Sequence, residues 1–425
     1  MEKFAALRFN DFRKYLSIRF FFTLASQMQT TVIGFYVYQL THSKIAIAFI
    51  GLSEVIPALG LALYGGYITD KSDKRRMLLI LFSMVLLSSF VLLLVTGTPE
   101  GQTPHITRIL SVIYTMLFCN GVARAFYEPA LFSVYAHSVP REAAPNANNW
   151  SNLSWQSASI LGPMAGGFIY GYASHLFPGF SGITAAFAGI LLFLILSLIG
   201  VYTLPNVPGV LAREATTRDS FFAGLRFVLK TRMMFYAMTL DLFSVFFGGV
   251  TALLPVYAID ILHVGPEGLG MMRMAASLGA ALTMIALVRF SPMNKPWRNL
   301  LIAVGGFGCS IIGFGLSHSF FFAILFLFAQ GAFDSVSVMI RGTILQLLTP
   351  EQMRGRVSAV NSMFIGSSAE IGDFESGMMA NLLGTIPAVL FGGCMTLMIV
   401  IFVFAKTKKF LSLAISDIGP GADQI

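Results

Sequence analysis

Between residues 14 and 405 the chain passes through twelve apolar runs, each near or above the ~20 residues with which an α-helix crosses ~30 Å of hydrocarbon. They lie at about 14–40, 45–69, 77–97, 107–136, 148–173, 180–203, 233–259, 267–288, 299–317, 319–347, 356–383 and 385–405. A globule in water has too little interior for so much apolar chain, and in lipid only helices and closed barrels satisfy their own backbone. The expected class is therefore an all-α membrane protein. Charge agrees: 11% of the residues are charged, against roughly 25% in soluble domains. Forty glycines and forty phenylalanines suit close helix contacts and lipid-facing bulk.

One stretch, Gly121 to Gly167, returns 210 positions later without a gap. Gly121 meets Gly331, Arg124 meets Asp334, Pro140 meets Pro350, Gly162 meets Gly372 and Gly167 meets Gly377. Each copy has an apolar run with a charge inside it, a Pro-containing polar elbow, and a second apolar run holding several glycines. Such a repeat implies two similar halves. Parallel halves in a very apolar chain are the layout of secondary transporters, with a substrate path between them.

Alternating the loops from side to side sorts the basic residues. One side collects Lys71, Lys74, Arg75 and Arg76, Arg141, Arg213 through Arg232, Arg289 through Arg298, Arg354 and Arg356, with the basic N-terminus and Lys406, Lys408 and Lys409. The other side holds only Lys44 and Arg108. The positive-inside rule then places both termini in the cytoplasm. The net charge of +8 is topological anchoring, and a nucleic-acid partner is not expected. The N-terminal run is too long for a signal-peptide core and is followed by no small-residue cleavage site. The longest loop falls between runs 6 and 7, so the expected domains are a six-helix bundle at 1–204, a cytoplasmic linker at 205–232, a second bundle at 233–410, and a disordered tail at 411–425. The end of the linker puts Phe221, Phe222, Leu225, Val228 and Leu229 on one helical face, as in a helix lying in the membrane interface.

After run 2 comes Gly66-Tyr-Ile-Thr-Asp70-Lys71-Ser-Asp73-Lys74-Arg75-Arg76. Gly66 permits close helix approach, Asp70 is placed to face the positive N-terminus of a neighbouring helix, and the basic cluster is expected in the cytosolic interface. The stretch resembles the GxxxDRxGRR signature of the major facilitator superfamily, with Lys71 for the first Arg and Asp73 for the second Gly. The resemblance implies a cytoplasmic gate carried by Gly66, Asp70, Lys71, Arg75 and Arg76. In run 5, Gly162-Pro163-Met-Ala-Gly166-Gly167 resembles the GxxxGPxxGG signature of antiporters in that superfamily, with Ala158 at the leading Gly position. Pro163 removes a backbone donor and softens its helix, and Gly162, Gly166 and Gly167 admit a neighbour closely. Ordinary helix packing accounts for the same glycines.

Ionisable residues inside the apolar runs are site candidates by default, because a charge at bilayer depth is costly unless paired or hydrated. Run 4 carries Arg124 and Glu128 one turn apart, run 10 carries Asp334, run 11 carries Glu370 and Asp373, run 7 carries Asp241 and run 2 carries Glu54. Because Arg124 and Asp334 are counterparts in the repeat, Arg124 is expected to be shared between Glu128 and Asp334 and released when an acid takes up a proton. Apolar surroundings disfavour the charged form of a carboxyl, which suits it to proton exchange. The alternative is a set of static salt bridges, and for Arg19, Arg273 and Arg341 near run ends snorkelling or static pairing is the expected role.

No Walker A loop, dinucleotide fingerprint, His/Cys metal spacing or Ser/His/Asp arrangement is visible, so no cofactor, no metal and no enzymatic chemistry are expected. The whole chain from about residue 8 to residue 405 resembles the major facilitator superfamily. Within it the likeness is to bacterial efflux proteins of the enterobactin-exporter and macrolide-efflux type. It is carried by Tyr38-Gln-Leu-Thr, Glu54 with Pro57, Leu253 to Leu262, Gly265-Pro-Glu-Gly-Leu-Gly and Thr349 to Asn361. The resemblance implies two six-helix bundles, alternating access and export driven by proton entry. The expected function is proton-coupled export of a small amphiphilic molecule, such as a siderophore or drug, by a monomer in the bacterial inner membrane. Two other readings are an importer of a nutrient or lipid on the same fold, and a non-transporting membrane sensor whose buried charges stay paired.

Overall fold

A computed structural model of the chain describes residues 5–97, 106–176, 181–206, 217–350 and 353–413. Its first helices are α1 (Asn10–Thr41), α2 (Lys44–Lys71), α3 (Lys74–Thr96), α4 (Ile106–Ser138), α5 (Ala144–Leu176) and α6 (Gly182–Tyr202). After them come α7 (Thr217–Lys230), α8 (Arg232–Phe247), a short turn α9 (Leu254–Val256), α10 (Pro266–Arg289), α11 (Pro296–Gly315), α12 (Phe320–Leu348), α13 (Arg354–Leu383) and α14 (Thr385–Lys406). No strand occurs among the described residues. The helix starts follow local chemistry. Ser43, Asp73 and Ser181 cap α2, α3 and α6 by accepting the backbone N–H three residues on.

Among the described residues, nine helical segments are long and apolar enough to cross a membrane, with Arg232–Ile261 counted as one. α1, α5 and α13 are as long but more polar. α1 carries Gln27, Gln29, Thr30 and Thr31, the first half of α5 is rich in Asn and Ser, and α13 carries Glu370, Asp373 and Glu375. α1 shows where such a helix sits. Packed against α5 and α6 and touching α2 and α4, it buries 15 of its 32 residues, and Gln29 accepts a 2.7 Å hydrogen bond from Ser89 of α3. Large apolar side chains line the outside instead: Ile80, Phe132, Ile285, Phe321 and Ile401 are each about two-thirds exposed or more, as lipid contact demands.

The seventh run is not one continuous helix. α8 stops at the Gly248-Gly249 pair, a 3₁₀ turn follows at Val250–Leu253, and after α9 the chain widens into a π turn at Tyr257–Ile261, closed by Leu262 N–H on the Tyr257 carbonyl at 2.8 Å. Two residues without a Cβ, followed by Pro255 without a donor, cannot hold a regular ladder. The break admits α13: a Cβ on Gly249 would lie 2.9 Å from the Gly372 carbonyl group.

Contacts group the chain into two compact units, Met1–Arg213 with His263–Met274, and Glu214–Leu262 with Ala275–Ile425. Residues 207–216 of the expected linker and 414–425 of the expected tail lie outside the described residues. In the first unit Phe22 stacks on Phe82 at 4.2 Å, with Tyr127 edge-on at 4.8 Å. In the second, Trp297 is fully buried, donates to Thr407 Oγ1 at 2.8 Å and meets Phe410 edge-on. α7 belongs to this second core: Val228 is buried, Leu225 and Phe227 pack on it, and Gly224 sits against the Arg356 backbone. Of the stripe expected to face lipid, Leu225 and Val228 are thus covered by protein and Leu229 is exposed. Phe221 and Phe222 lie outside the described side chains.

The 210-residue repeat reappears as repeated packing inside each unit. A Cβ on Gly121 of α4 would collide with the Glu54 carbonyl of α2, and one on Gly331 of α12 with the Ala276 carbonyl of α10. Gly162 of α5 lies against Leu24 and Gln27 of α1, and Gly372 of α13 against Phe246 of α8. The elbows match as well, with Ala143 N–H on the Pro140 carbonyl at 3.0 Å and Met353 N–H on the Pro350 carbonyl at 2.9 Å. Each glycine lets one helix backbone rest on its neighbour.

Candidate functional site

Charges inside the second unit gather between α8 and α12. Asp334 and Arg341 are two turns apart on α12 and share a face. Across from them Asp241 of α8 forms an ion pair with Arg341, the two side chains being 7% and 5% exposed. Arg341 also donates to Ser337 Oγ at 3.4 Å, and Asp334 lies in electrostatic range of both Arg341 and Asp241. These residues and Ser244, Val245, Val304 and Phe307 line a recess with room for about one water molecule. Ser244 Oγ is buried there without a hydrogen-bond partner among the described residues. Two carboxylates and one guanidinium carry one negative charge in excess when all are ionised. A single proton removes that excess, and the pair titrates as a unit. The arrangement therefore has the charge count to take up one proton.

The first unit holds a cluster of the same make-up. Arg124 of α4 donates from Nε to Glu128 Oε1 at 3.0 Å, and its Nη1 lies 3.6 Å from Glu54 Oε1 of α2. Gly121, one turn before Arg124, brings the two helices together at Glu54 and Pro57. This cluster is more open: Arg124 and Glu54 are about one-third exposed and Glu128 more than half. The expected sharing of Arg124 with Asp334 joins residues of different units. Within its own unit the second acid beside Arg124 is Glu54.

Arg341, near the end of its run, is paired with Asp241, in keeping with one of the two roles expected of it, and it is the buried centre of its cluster. The signal was present in the seven-residue spacing from Asp334, which puts both on one face. Glu370 and Asp373 are half-buried on α13, on either side of the Gly372 that packs on Phe246. Glu375, two residues on, has a buried Oε1 without a hydrogen-bond partner among the described residues.

Around the α2–α3 elbow the structure redistributes the expected roles. Close helix approach belongs to Gly65, where a Cβ would collide with the Ala125 carbonyl, whereas one on Gly66 meets nothing within 4 Å. Asp73 caps the next helix, accepting Arg76 N–H at 2.8 Å at the start of α3. Asp70 is exposed at the end of α2. Lys74 is no solvated anchor: it is 3% exposed and donates to the carbonyls of Thr69, of Asp70 at 3.1 Å and of Ser72 at 3.0 Å. Its ammonium thus satisfies acceptors that the end of α2 leaves open. Arg75 reaches α6, donating to Asn206 Oδ1 at 3.2 Å with its guanidinium 5.2 Å from the Tyr202 ring centre. Lys71 donates to the Tyr67 hydroxyl, and Arg76 is exposed.

On α5, Gly162 and Gly166 both pack on α1, Gly166 against Met28. Gly167 meets Pro266 and Gly270 at the start of α10, and the Pro163 carbonyl would lie 2.6 Å from a Cβ on Gly270. The four residues therefore form two adjacent contact lines, Gly162 and Gly166 on α1 and Pro163 and Gly167 on the start of α10.

The family model of the Major Facilitator Superfamily matches residues 15–372. The enterobactin exporter EntS of Citrobacter koseri is 23% identical over 352 residues, covering 82% of this chain and 80% of that protein. EntS of Shigella flexneri is 24% identical over 353 residues, with the same shares of each chain. Among solved structures, the D-xylose-proton symporter superposes with a TM-score of 0.72 at 15% identity, covering 94% of this chain and 98% of its own. An inward-facing, unoccupied bacterial homologue of the human lysosomal transporter Spinster gives 0.68 at 14% identity, covering 96% and 97%. The two structures establish a likeness of fold. With the matched family model and the helical architecture, the chain belongs to the Major Facilitator Superfamily, as a multi-pass membrane transporter and not an enzyme.

Proposed function

We propose that this transporter exports a small amphiphilic molecule of the siderophore type, driven by proton entry through the α8–α12 recess. The observation that carries the coupling step is the cluster of Asp241, Asp334 and Arg341, with one carboxylate more than its arginine can match in a water-sized recess. In the deprotonated state Arg341 serves both acids. A proton on Asp334 leaves Arg341 to Asp241 alone and removes the net charge, which lets the helices around the recess change position without exposing a charge to lipid. Glu54, Arg124 and Glu128 form the corresponding relay in the first unit, and Glu370 and Asp373 are further carriers on α13. Gly66, Asp70, Lys71, Arg75 and Arg76 form the cytoplasmic gate, and the Gly162–Gly167 strip the antiporter element. α1, α5 and α13 cross the bacterial inner membrane as polar spans of a twelve-helix monomer with both termini cytoplasmic. The likeness to EntS supports a siderophore as cargo.

The test uses an Escherichia coli strain without its own enterobactin exporter. Expression of this chain restores enterobactin in the medium, and Asp334→Asn abolishes the gain at equal protein level. Export undiminished in both Asp334→Asn and Glu370→Gln would remove the mechanism.

A further inference from the structure

Arg19 of α1 is a strongly basic group inside the first unit that the relay does not use, and no carboxylate lies on it among the described residues. Nine residues into the helix, it lies ~13 Å along the axis from Asn10. Its Nη1 donates to the Tyr15 hydroxyl at 2.7 Å, and its Nε is buried without an acceptor among the described residues. Tyr15 is itself fully buried and shares a 3.2 Å hydrogen bond with Ser151 of α5. Tyr135 of α4 closes the third side, its ring 5.5 Å from that of Tyr15, its hydroxyl donating to the Ala144 carbonyl, and in electrostatic range of Arg19.

The guanidinium is therefore held by one neutral oxygen, the hydroxyl of the Tyr15 that sits between α4 and α5. A partly buried cation normally has an anion beside it, since its N–H groups are costly to leave unmet. Five donors in a planar fork match a carboxylate or an acidic phenol in two-point contact. The two tyrosine rings offer that acid an aromatic wall. We propose that Arg19, positioned by Tyr15, binds the acidic group of the transported molecule, and that the cargo is accordingly an aromatic or amphiphilic acid. This deepens the export reading and rests on it. A lipid phosphate presents the same chemistry, so the experiment separates the two sources.

The full chain is purified and placed in nanodiscs of phosphatidylcholine alone. Binding of salicylate, and of its neutral counterpart salicylamide, is followed by tryptophan fluorescence, because Trp150 and Trp155 flank Ser151 on α5. The wild type binds salicylate at least ten-fold more tightly than salicylamide. Arg19→Gln loses that preference, and Arg19→Lys, which keeps the charge without the fork, retains part of it. Equal preference in wild type and Arg19→Gln overturns the assignment, as does no salicylate binding by the wild type. If instead Arg19→Gln differs only in losing co-purified phosphatidylglycerol, the site belongs to lipid and the assignment to cargo is overturned. Circular dichroism and elution volume of Arg19→Lys guard against misfolding. No gradient is applied, so a failure of proton coupling leaves this readout intact, and a failure here leaves the export test standing.

Discussion

Arg341 takes its importance from burial. At 5% exposure its guanidinium cannot reach water, so its state is set by the carboxylates beside it. Removing one partner of a buried ion pair costs about 3–5 kcal/mol, while replacing both with apolar residues of similar volume is near neutral. Arg341→Met, which leaves two acids without their cation, is therefore expected to lower the unfolding free energy in detergent by about 3 kcal/mol or more. The double variant Asp241→Leu with Arg341→Met should recover part of that loss, because only Asp334 is left and a single proton neutralises it. Thermal unfolding of the wild type, Asp241→Leu, Arg341→Met and the double variant in a double-mutant cycle checks it. A loss below about 1 kcal/mol for Arg341→Met, the range of exposed pairs, would mean that water reaches the pair freely. The candidate acids were legible in the sequence, because an acid in an apolar run stands out. Which basic group answers each of them was not. Arg341 stands only eight residues before the polar elbow at Thr349-Pro350, which gives it the look of an end-of-span anchor, and no one-dimensional pattern shows that Asp241, a hundred residues away, lies opposite it.

At the scale of elements, small residues and capping groups decide which helices touch. Gly65 carries the α2–α4 contact and Gly66 does not, although the motif resemblance points to Gly66. Spacing can place a glycine on a helix, but only the rotation of that helix in the bundle tells which of two adjacent glycines meets the neighbour. Gly65→Val is expected to destabilise the protein by about 3 kcal/mol, whereas Gly66→Ala changes stability by less than about 0.5 kcal/mol. Unfolding temperatures of the two variants read this directly. Lys74 makes a second prediction. Lys74→Met takes the ammonium from the last carbonyls of α2 and leaves them buried, at a cost of about 1–3 kcal/mol. Lys71→Met, at an exposed position, costs under about 0.5 kcal/mol. The broken seventh helix was likewise not read in advance. Apolar composition runs straight through Gly248-Gly249, and the break depends on α13 being there to fill the gap.

For the whole molecule, the internal repeat gave the architecture its strongest reading, and the packing shows why it was readable. Gly121 and Gly331, Gly162 and Gly372, and the Pro140 and Pro350 elbows perform the same contacts within their own units, so substitution at either copy breaks the same joint. The functional chemistry diverges where the scaffold repeats. Arg124 lies between Glu54 and Glu128 in an open cluster, whereas its counterpart position holds Asp334 beside the buried Asp241–Arg341 pair. In the proposed export cycle that asymmetry assigns the main proton step to the second unit and the cargo to the more open side of the first. The most direct test needs no knowledge of the cargo. In a chain with Cys119, Cys309 and Cys394 replaced, Ser244→Cys places a thiol in the recess, and its reaction with a membrane-impermeant thiol reagent is timed in vesicles with and without a pH gradient. The account predicts labelling whose rate changes several-fold with the gradient, and loses that dependence when Asp334→Asn is added. A thiol that reacts from neither side under any gradient would mark the cluster as a sealed ion pair and contradict the account.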